Sequence, residues 1–210
     1  MRKILFLEDR PERQRIFLPN GENDVSVLRN MQNIVMPELE DCKITISNIN
    51  SNKNFIIEGI SLIVIHESSL TIQGLRFLNK TCKENNIGAI LFSGGISQTT
   101  FNNEDYDMLY VNSSDLYTER FIPFLEKYIN DSSTHLLELI NPNWRISYWF
   151  LLRQLLNTKE IEEKSNNPDS DRIDVLEDKI ENASKVLGID LSQLNSNTDS
   201  LNKEIKKLLL

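Results

Sequence analysis

The stretch ILFLEDRPE, residues 4–12, indicates the fold: an unbroken apolar run ends in two acidic residues, and a proline follows closely. Together with Lys3, its apolar part forms KILFL (3–7), the first of five apolar runs of strand length. The other four are KITIS (43–47), LIVI (62–65), AILF (89–92) and MLYV (108–111). The first, third and fourth runs are continuously apolar, which is typical of central strands that helices cover on both faces of a parallel sheet.

The segments between these runs have helical spacing of their apolar residues, most clearly at 70–85 and 115–130. The stretch 10–41 is longer than one helix requires, so we predict a short helix after Pro11 and a second that ends before Pro37. That second helix has apolar residues at Val27, Leu28, Met31, Ile34 and Val35. We expect only a stunted helix in the polar segment 97–107. Alternating strands and helices predict a parallel five-stranded sheet with right-handed crossovers and the strand order 2-1-3-4-5.

Beyond residue 131 the pattern changes to helices alone. Asn141 and Pro142 form a helix start signal, and an almost wholly apolar helix at 144–156 follows. A polar linker at 165–170 precedes a helix at 173–187, which Gly188 is expected to cap. A last helix is predicted from about residue 198. We therefore predict an α/β domain at 1–131 and a helical region at 132–210.

Charge and composition argue against several classes of protein. The net charge is −8, and both predicted regions are acidic, so nucleic-acid binding is not expected. No run approaches the ~20 apolar residues that span a bilayer, and the N-terminus does not resemble a secretory signal. The two cysteines lack metal-site spacing. We expect a cytoplasmic protein without a cofactor, a metal site or a membrane association.

The opening ILFLEDRPE resembles the ILIVDDEPE opening of response-regulator receiver domains, which have a flavodoxin-like fold. In that family the paired acids, here Glu8 and Asp9, hold Mg²⁺. Strand by strand, the resemblance places His66 at the phosphoryl-accepting aspartate, Ser93 at the serine or threonine, and Asn112 at the lysine. It covers about residues 2–131.

The departures from the family pattern imply an inactive receiver-like domain. Phosphoryl transfer onto a receiver needs a carboxylate nucleophile, a divalent cation and a lysine. His66 cannot form an acyl phosphate, Asn112 carries no charge, and Glu8 with Asp9 is a poor cage for Mg²⁺. The resemblance implies a non-enzymatic signalling or adaptor protein; such domains occur in bacterial signalling and anti-virus defence assemblies.

Two other functions remain open from the residues. The strand order would align Asp9, His66 and Ser93 as acid, imidazole and hydroxyl, the set of a hydrolytic triad. Alternatively, the Gly94-Gly95 turn could bind an anion or nucleotide in the crevice of the sheet.

The helical region is where we expect a partner to bind. Trp144, Trp149 and Phe150 belong to a helix with more apolar surface than a single neighbour covers. We predict that part of this surface contacts another protein or a second copy of the chain.

Overall fold

In the computed structural model, residues 2–55, 58–103 and 105–190 are described, and they form six β-strands and eight α-helices. The strands are β1 (Lys3–Leu7), β2 (Ile34–Val35), β3 (Ile60–His66), β4 (Gly88–Ser93), β5 (Thr100–Asn102) and β6 (Met108–Asn112). The helices are α1 (Pro11–Phe17), α2 (Glu22–Asn30), α3 (Leu39–Asn50), α4 (Ile72–Asn85), α5 (Ser113–Leu116), α6 (Phe121–Asn130), α7 (Trp144–Glu163) and α8 (Ser170–Leu187). The chain is thus an α/β protein that ends, within the described residues, in helices.

The strands form one mostly parallel sheet in the order β2-β1-β3-β4-β6-β5. β1, β3, β4 and β6 pair in parallel, and β2 pairs in parallel with β1. These five follow the predicted order 2-1-3-4-5 when they are counted along the chain. The sixth strand, β5, pairs antiparallel with β6 at the edge of the sheet. The expectation of an all-parallel sheet with a stunted helix at 97–107 was therefore wrong at this edge.

The second strand was predicted in the wrong place. Residues 43–47 lie within α3, where Cys42, Ile46 and Ile49 repeat at helical spacing and are buried. The true second strand is Ile34–Val35, which pairs with Ile4 and Leu5. The alternation of polar and apolar residues in KITIS is typical of a strand. The buried residues Cys42, Ile46 and Ile49, however, are four and three positions apart, which places them on one side of a helix. The helix predicted to continue to Val35 ends at Asn30 instead.

Each face of the sheet has its own core. On one face Leu5, Ile63 and Leu91 pack against residues of α3 and α4. On the other face the rings of Phe6, Phe92 and Phe121 meet Tyr117, with centroids 5.5–6.5 Å apart. Side chains alternate between faces along a strand, so Glu8 continues the face of Phe6, and His66 lies beside Phe92.

The chain divides into two compact units, one ending at Pro142 and the next beginning at Asn143. In the second unit, α8 begins at the cap Asp169, whose carboxylate accepts the amide of Arg172 at 3.2 Å. It ends at Leu187 and is capped by Gly188, which has a φ of 68°. The predicted glycine cap is therefore confirmed, because glycine adopts the left-handed conformation without strain. The helix predicted from about residue 198 lies outside the described residues.

Candidate functional site

The predicted site residues from four strands meet at one edge of the sheet. In the parallel register Leu7 lies opposite Ile65, and Ser93 lies opposite Asn112. The carboxyl ends of β1, β3, β4 and β6 therefore share an edge, where α/β sheets commonly bind ligands. Glu8 and Asp9 follow β1, whereas His66, Ser93 and Asn112 are the last residues of their strands.

The central contact of this site is a short hydrogen bond between Asp9 and His66. The His66 side chain is 0% exposed, and its Nδ1 lies 2.6 Å from Oδ1 of Asp9. The carboxylate is 21% exposed. Against the imidazole lies the ring of Phe92, with centroids 5.5 Å apart. A buried ring between an aromatic face and a carboxylate is held in one orientation.

The other ring nitrogen contacts two side chains that the sequence did not indicate. Nε2 of His66 lies 3.0 Å from Nη1 of Arg13 and 2.8 Å from Oγ of Ser68. A guanidinium group can only donate, so Nε2 must accept, and the proton of the neutral imidazole lies on Nδ1. His66 therefore donates to Asp9 through Nδ1, and Arg13 and Ser68 share the single lone pair of Nε2.

Ser68 lies between His66 and Ser93, the residue predicted to complete a triad. The two hydroxyl oxygens are 3.3 Å apart, and Oγ of Ser93 also accepts the backbone amide of Gly95 at 3.3 Å. Within the described part of the chain, the hydroxyl that reaches the imidazole is that of Ser68. Ser93 is buried, whereas Ser68 is exposed on a short 3-10 helix, Glu67–Ser69.

Glu8 points into the core rather than toward the crevice. Its Oε2 accepts the hydroxyl of Tyr117 at 2.7 Å, and its Oε1 accepts the backbone amide of Arg10 at 2.9 Å. Burial raises the pKa of Glu8 above its ordinary value, and these two hydrogen bonds partly oppose the rise. Burial, together with the charge of Glu8, holds the pKa of Tyr117 well above its ordinary range.

Asn112, at the lysine position of the resemblance, stabilises loops. Its Nδ2 donates to the carbonyls of Gly94 and Ile96, at 3.3 and 2.8 Å. Its Oδ1 caps α5 by accepting the backbone amide of Ser114 at 2.9 Å. The amide thus ties the loop after β4 to the start of α5.

The resemblance implies Mg²⁺ at the acidic pair, but the residues present fit that ion poorly. Glu8, Asp9 and His66 offer three potential ligand atoms within 4.8 Å of one another. Both oxygens of Glu8 already accept hydrogen bonds, and Oδ1 of Asp9 faces the imidazole. Mg²⁺ prefers oxygen ligands in an octahedron, and here a nitrogen replaces the third carboxylate.

A separate cavity of about 370 Å³ lies beside α4 and the β5–β6 edge. Its lining residues are Asn79, Lys80, Lys83, Asn102, Asp105, Tyr106 and Met108. Four of the polar groups bind one another: Tyr106 donates to Asn79 at 2.7 Å, and Lys83 pairs with Asp105 at 2.5 Å.

The three residues predicted to form a partner surface differ in exposure. Trp144 and Trp149 are 4% and 6% exposed, and Trp149 packs in a cluster with Leu152, Ile180 and Ala183. Phe150 is 51% exposed, beside Leu151 at 42%. Of the three, only Phe150 offers substantial surface to a partner.

The positions of Ser68 and Arg13 in the chain indicate that both lie near the carboxyl ends of the strands. Ser68 follows the last residue of a buried strand by two positions, so it had to lie near the same edge of the sheet. Arg13 belongs to the first turn of α1, which begins at Pro11, two residues after the acidic pair. No local sequence pattern shows in which direction the side chains of Ser68 and Arg13 point.

Two further findings bear on what the chain is. Among the described residues, no helix combines the length and the hydropathy that crossing a bilayer requires. Compared with protein-family models, with curated proteins and with solved structures, the chain matches none of them.

Proposed function

We propose that residues 1–131 form a degenerate receiver-like domain of the flavodoxin-like class, and that the protein is a non-enzymatic signalling or adaptor protein. It acts through protein–protein contacts. The observation that supports this best is His66, which occupies the acceptor position, is fully buried and has both ring nitrogens in hydrogen bonds.

A phosphoryl acceptor needs an accessible carboxylate with a free oxygen. In this pocket Asp9 Oδ1 is bound to His66, and both oxygens of Glu8 are bound to groups of the protein. A carboxylate oxygen whose lone pairs are directed to internal donors is a poor nucleophile and a poor metal ligand, which applies to both oxygens of Glu8 and to Oδ1 of Asp9. The internal pairing therefore favours a pocket that stabilises the fold.

The position of the family's lysine supports the same proposal. Asn112 uses its amide to hold the carbonyls of Gly94 and Ile96 and the start of α5. In a responsive receiver the lysine pairs with the new phosphoryl group. Here the equivalent side chain stabilises one arrangement of the loops, which suits a domain with a constant binding surface.

A contact surface for this adaptor is proposed on α7. Phe150 and Leu151 are adjacent and each about half exposed, although neighbouring residues of the same helix are buried. Exposed aromatic side chains are enriched at protein interfaces. The partner is a second protein or a second copy of the chain, and bacterial signalling or anti-virus defence is the setting that the receiver resemblance suggests.

The experiment is incubation of the full chain with acetyl phosphate and Mg²⁺, followed by intact-mass spectrometry. We expect no change in mass, because no accessible carboxylate occupies the acceptor position. An active receiver treated in parallel controls for the reagent. An adduct of one phosphoryl group on Asp9 or Glu8 would overturn the proposal.

A second arm tests the adaptor role. The full chain is used as bait in its cells of origin, with Phe150→Glu as the matched variant. We expect a partner, or the chain itself, to be recovered with the wild type and lost with the variant. Equal recovery by both proteins would remove α7 from the proposal.

A further inference from the structure

The hydrogen-bonded pair Asp9–His66 contacts the exposed hydroxyl of Ser68. Oδ1 of Asp9 lies 2.6 Å from Nδ1 of His66, and Nε2 of the same ring lies 2.8 Å from Oγ of Ser68. The carboxylate and the imidazole are largely shielded, whereas Ser68 is open to solvent. Acid, imidazole and hydroxyl are thus joined by two short hydrogen bonds.

We propose that Ser68 is an activated nucleophile, the serine of an Asp9–His66–Ser68 triad that accepts an acyl group from an ester. This goes beyond the adaptor function, and it limits the non-enzymatic part of that proposal to phosphoryl transfer. It also replaces Ser93 as the serine of the hydrolase alternative. Ser93 is buried and reaches the imidazole only through Ser68, by the 3.3 Å contact between the two hydroxyls.

The hydrogen bonds have one consistent direction. Arg13 can only donate to Nε2, so the ring proton lies on Nδ1 and points at Asp9. Ser68 also donates to Nε2, whose single lone pair it shares with Arg13, and it can accept from the Ser93 hydroxyl, which itself accepts the amide of Gly95. The proton of Ser68 is directed at the base that must remove it, and its transfer requires Arg13 to release the lone pair of Nε2, as it does when it turns to the anionic oxygen of the substrate.

The chemistry follows from this order. Oγ of Ser68 adds to the carbonyl carbon of an ester, and its proton moves to Nε2 of His66. Asp9 stabilises the resulting imidazolium. When the intermediate collapses, the bond to the leaving alkoxide breaks, and Nε2 returns the proton to that oxygen. The acyl group remains on Ser68, and water releases it as a carboxylic acid by the same proton path in reverse.

Arg13 indicates the class of substrate. Its Nη1 contacts Nε2 at 3.0 Å, and among the described residues its guanidinium has no carboxylate partner within salt-bridge distance. A half-buried cation beside the nucleophile favours negative charge at the reacting centre. This supports an acyl substrate whose carbonyl oxygen becomes an anion as Ser68 adds, and we assign carboxylic esters because an alkoxide leaves more readily than the amine of an amide.

The test uses a fluorophosphonate probe, which bonds to activated serines with loss of fluoride, and p-nitrophenyl acetate as an ester. We expect one probe adduct on the full-length wild type, mapped by peptide mass spectrometry to Ser68. Ser68→Ala should lower the labelling rate and the release of nitrophenol at least about 100-fold, the typical minimum for a positioned base and its nucleophile.

Ser69→Ala is the matched control. Ser69 is the next residue, but its hydroxyl donates to the backbone carbonyl of His66 at 2.6 Å and not to the ring. This variant should keep the labelling rate within about threefold if its circular dichroism is unchanged, because the proton path does not include Ser69. His66→Ala, checked in the same way, should lose labelling as Ser68→Ala does.

Three results would overturn the proposal: an unlabelled wild type, an adduct mapped to Ser93, or equal rates for Ser68→Ala and the wild type. None of them affects the adaptor proposal, which the acetyl phosphate and bait experiments test separately. A phosphoryl adduct on Asp9 would in turn overturn the adaptor proposal. The triad proposal would still be tested by the labelling and ester-hydrolysis rates of Ser68→Ala.

Discussion

Trp149 and Phe150 are adjacent residues of α7 that the structure places in opposite environments. Trp149 is 6% exposed and packs with Leu152, Ile180 and Ala183, whereas Phe150 is 51% exposed. Trp149→Ala and Phe150→Ala therefore remove aromatic rings of similar chemistry from the core and from the surface of one helix. We expect Trp149→Ala to destabilise the protein strongly and Phe150→Ala only slightly.

The magnitudes follow from burial. Removing a buried tryptophan side chain costs about 3–5 kcal/mol, through lost apolar burial and the cavity that remains. Full burial of a phenylalanine contributes about 1.5–3 kcal/mol, so half-burial of Phe150 leaves about 1 kcal/mol at stake. The variants should differ by at least about 2 kcal/mol, which is a factor of roughly 30 in the unfolding equilibrium constant.

The assay is urea denaturation followed by circular dichroism, because α7 and α8 are helical and Trp149→Ala changes the fluorescence directly. Molar mass is measured by light scattering on the same samples, with Phe150→Glu added. If α7 binds a second copy of the chain, Phe150→Glu should lower the molar mass and keep the unfolding midpoint of the monomer.

A loss of stability for Phe150→Ala as large as that for Trp149→Ala, in a protein that is monomeric throughout, would contradict this expectation. Phe150 would then be ordinary core in solution, and the partner surface would have to be sought elsewhere. Equal and small losses for both variants would contradict the packing of Trp149 against α8.

Two further predictions concern the first unit. The pKa of Glu8 is raised in the folded protein above its ordinary value of about 4.5. Protonated Glu8 therefore stabilises the fold at low pH, and this contribution to the free energy of unfolding is lost as the pH rises from about 4.5 through the raised pKa. Urea midpoints at several pH values should therefore fall for the wild type relative to Glu8→Gln as the pH increases, and parallel curves would contradict the raised pKa. Gly74→Ala would place a Cβ 2.1 Å from Oδ1 of Asn50 and 3.1 Å from its Cα, so we expect a loss of about 1–3 kcal/mol in the same melts. Gly94→Ala is the control, since its Cβ would meet nothing within 4 Å; equal losses would show that the α3–α4 contact is not the cause.

The sequence alone determined the elements whose patterns are local and strong. The apolar runs of β1, β3, β4 and β6 and the helical spacing of α4 and α8 are properties of neighbouring residues, so they could be predicted without knowing the fold. The acidic pair after β1 and the polar ends of β3, β4 and β6 likewise predicted where a site would form, because parallel strands bring their carboxyl ends to one edge.

Tertiary structure decided what depends on partners distant in the chain. The two residues of β2 are a strand only because β1 lies beside them, and KITIS is helical because Cys42, Ile46 and Ile49 meet the core. The spacing of apolar residues and the composition of a segment do not determine in which direction each side chain points. The approach of Ser68 rather than Ser93 to His66, and the burial of Trp149 beside an exposed Phe150, therefore appear only in three dimensions, where packing selects one orientation for each side chain.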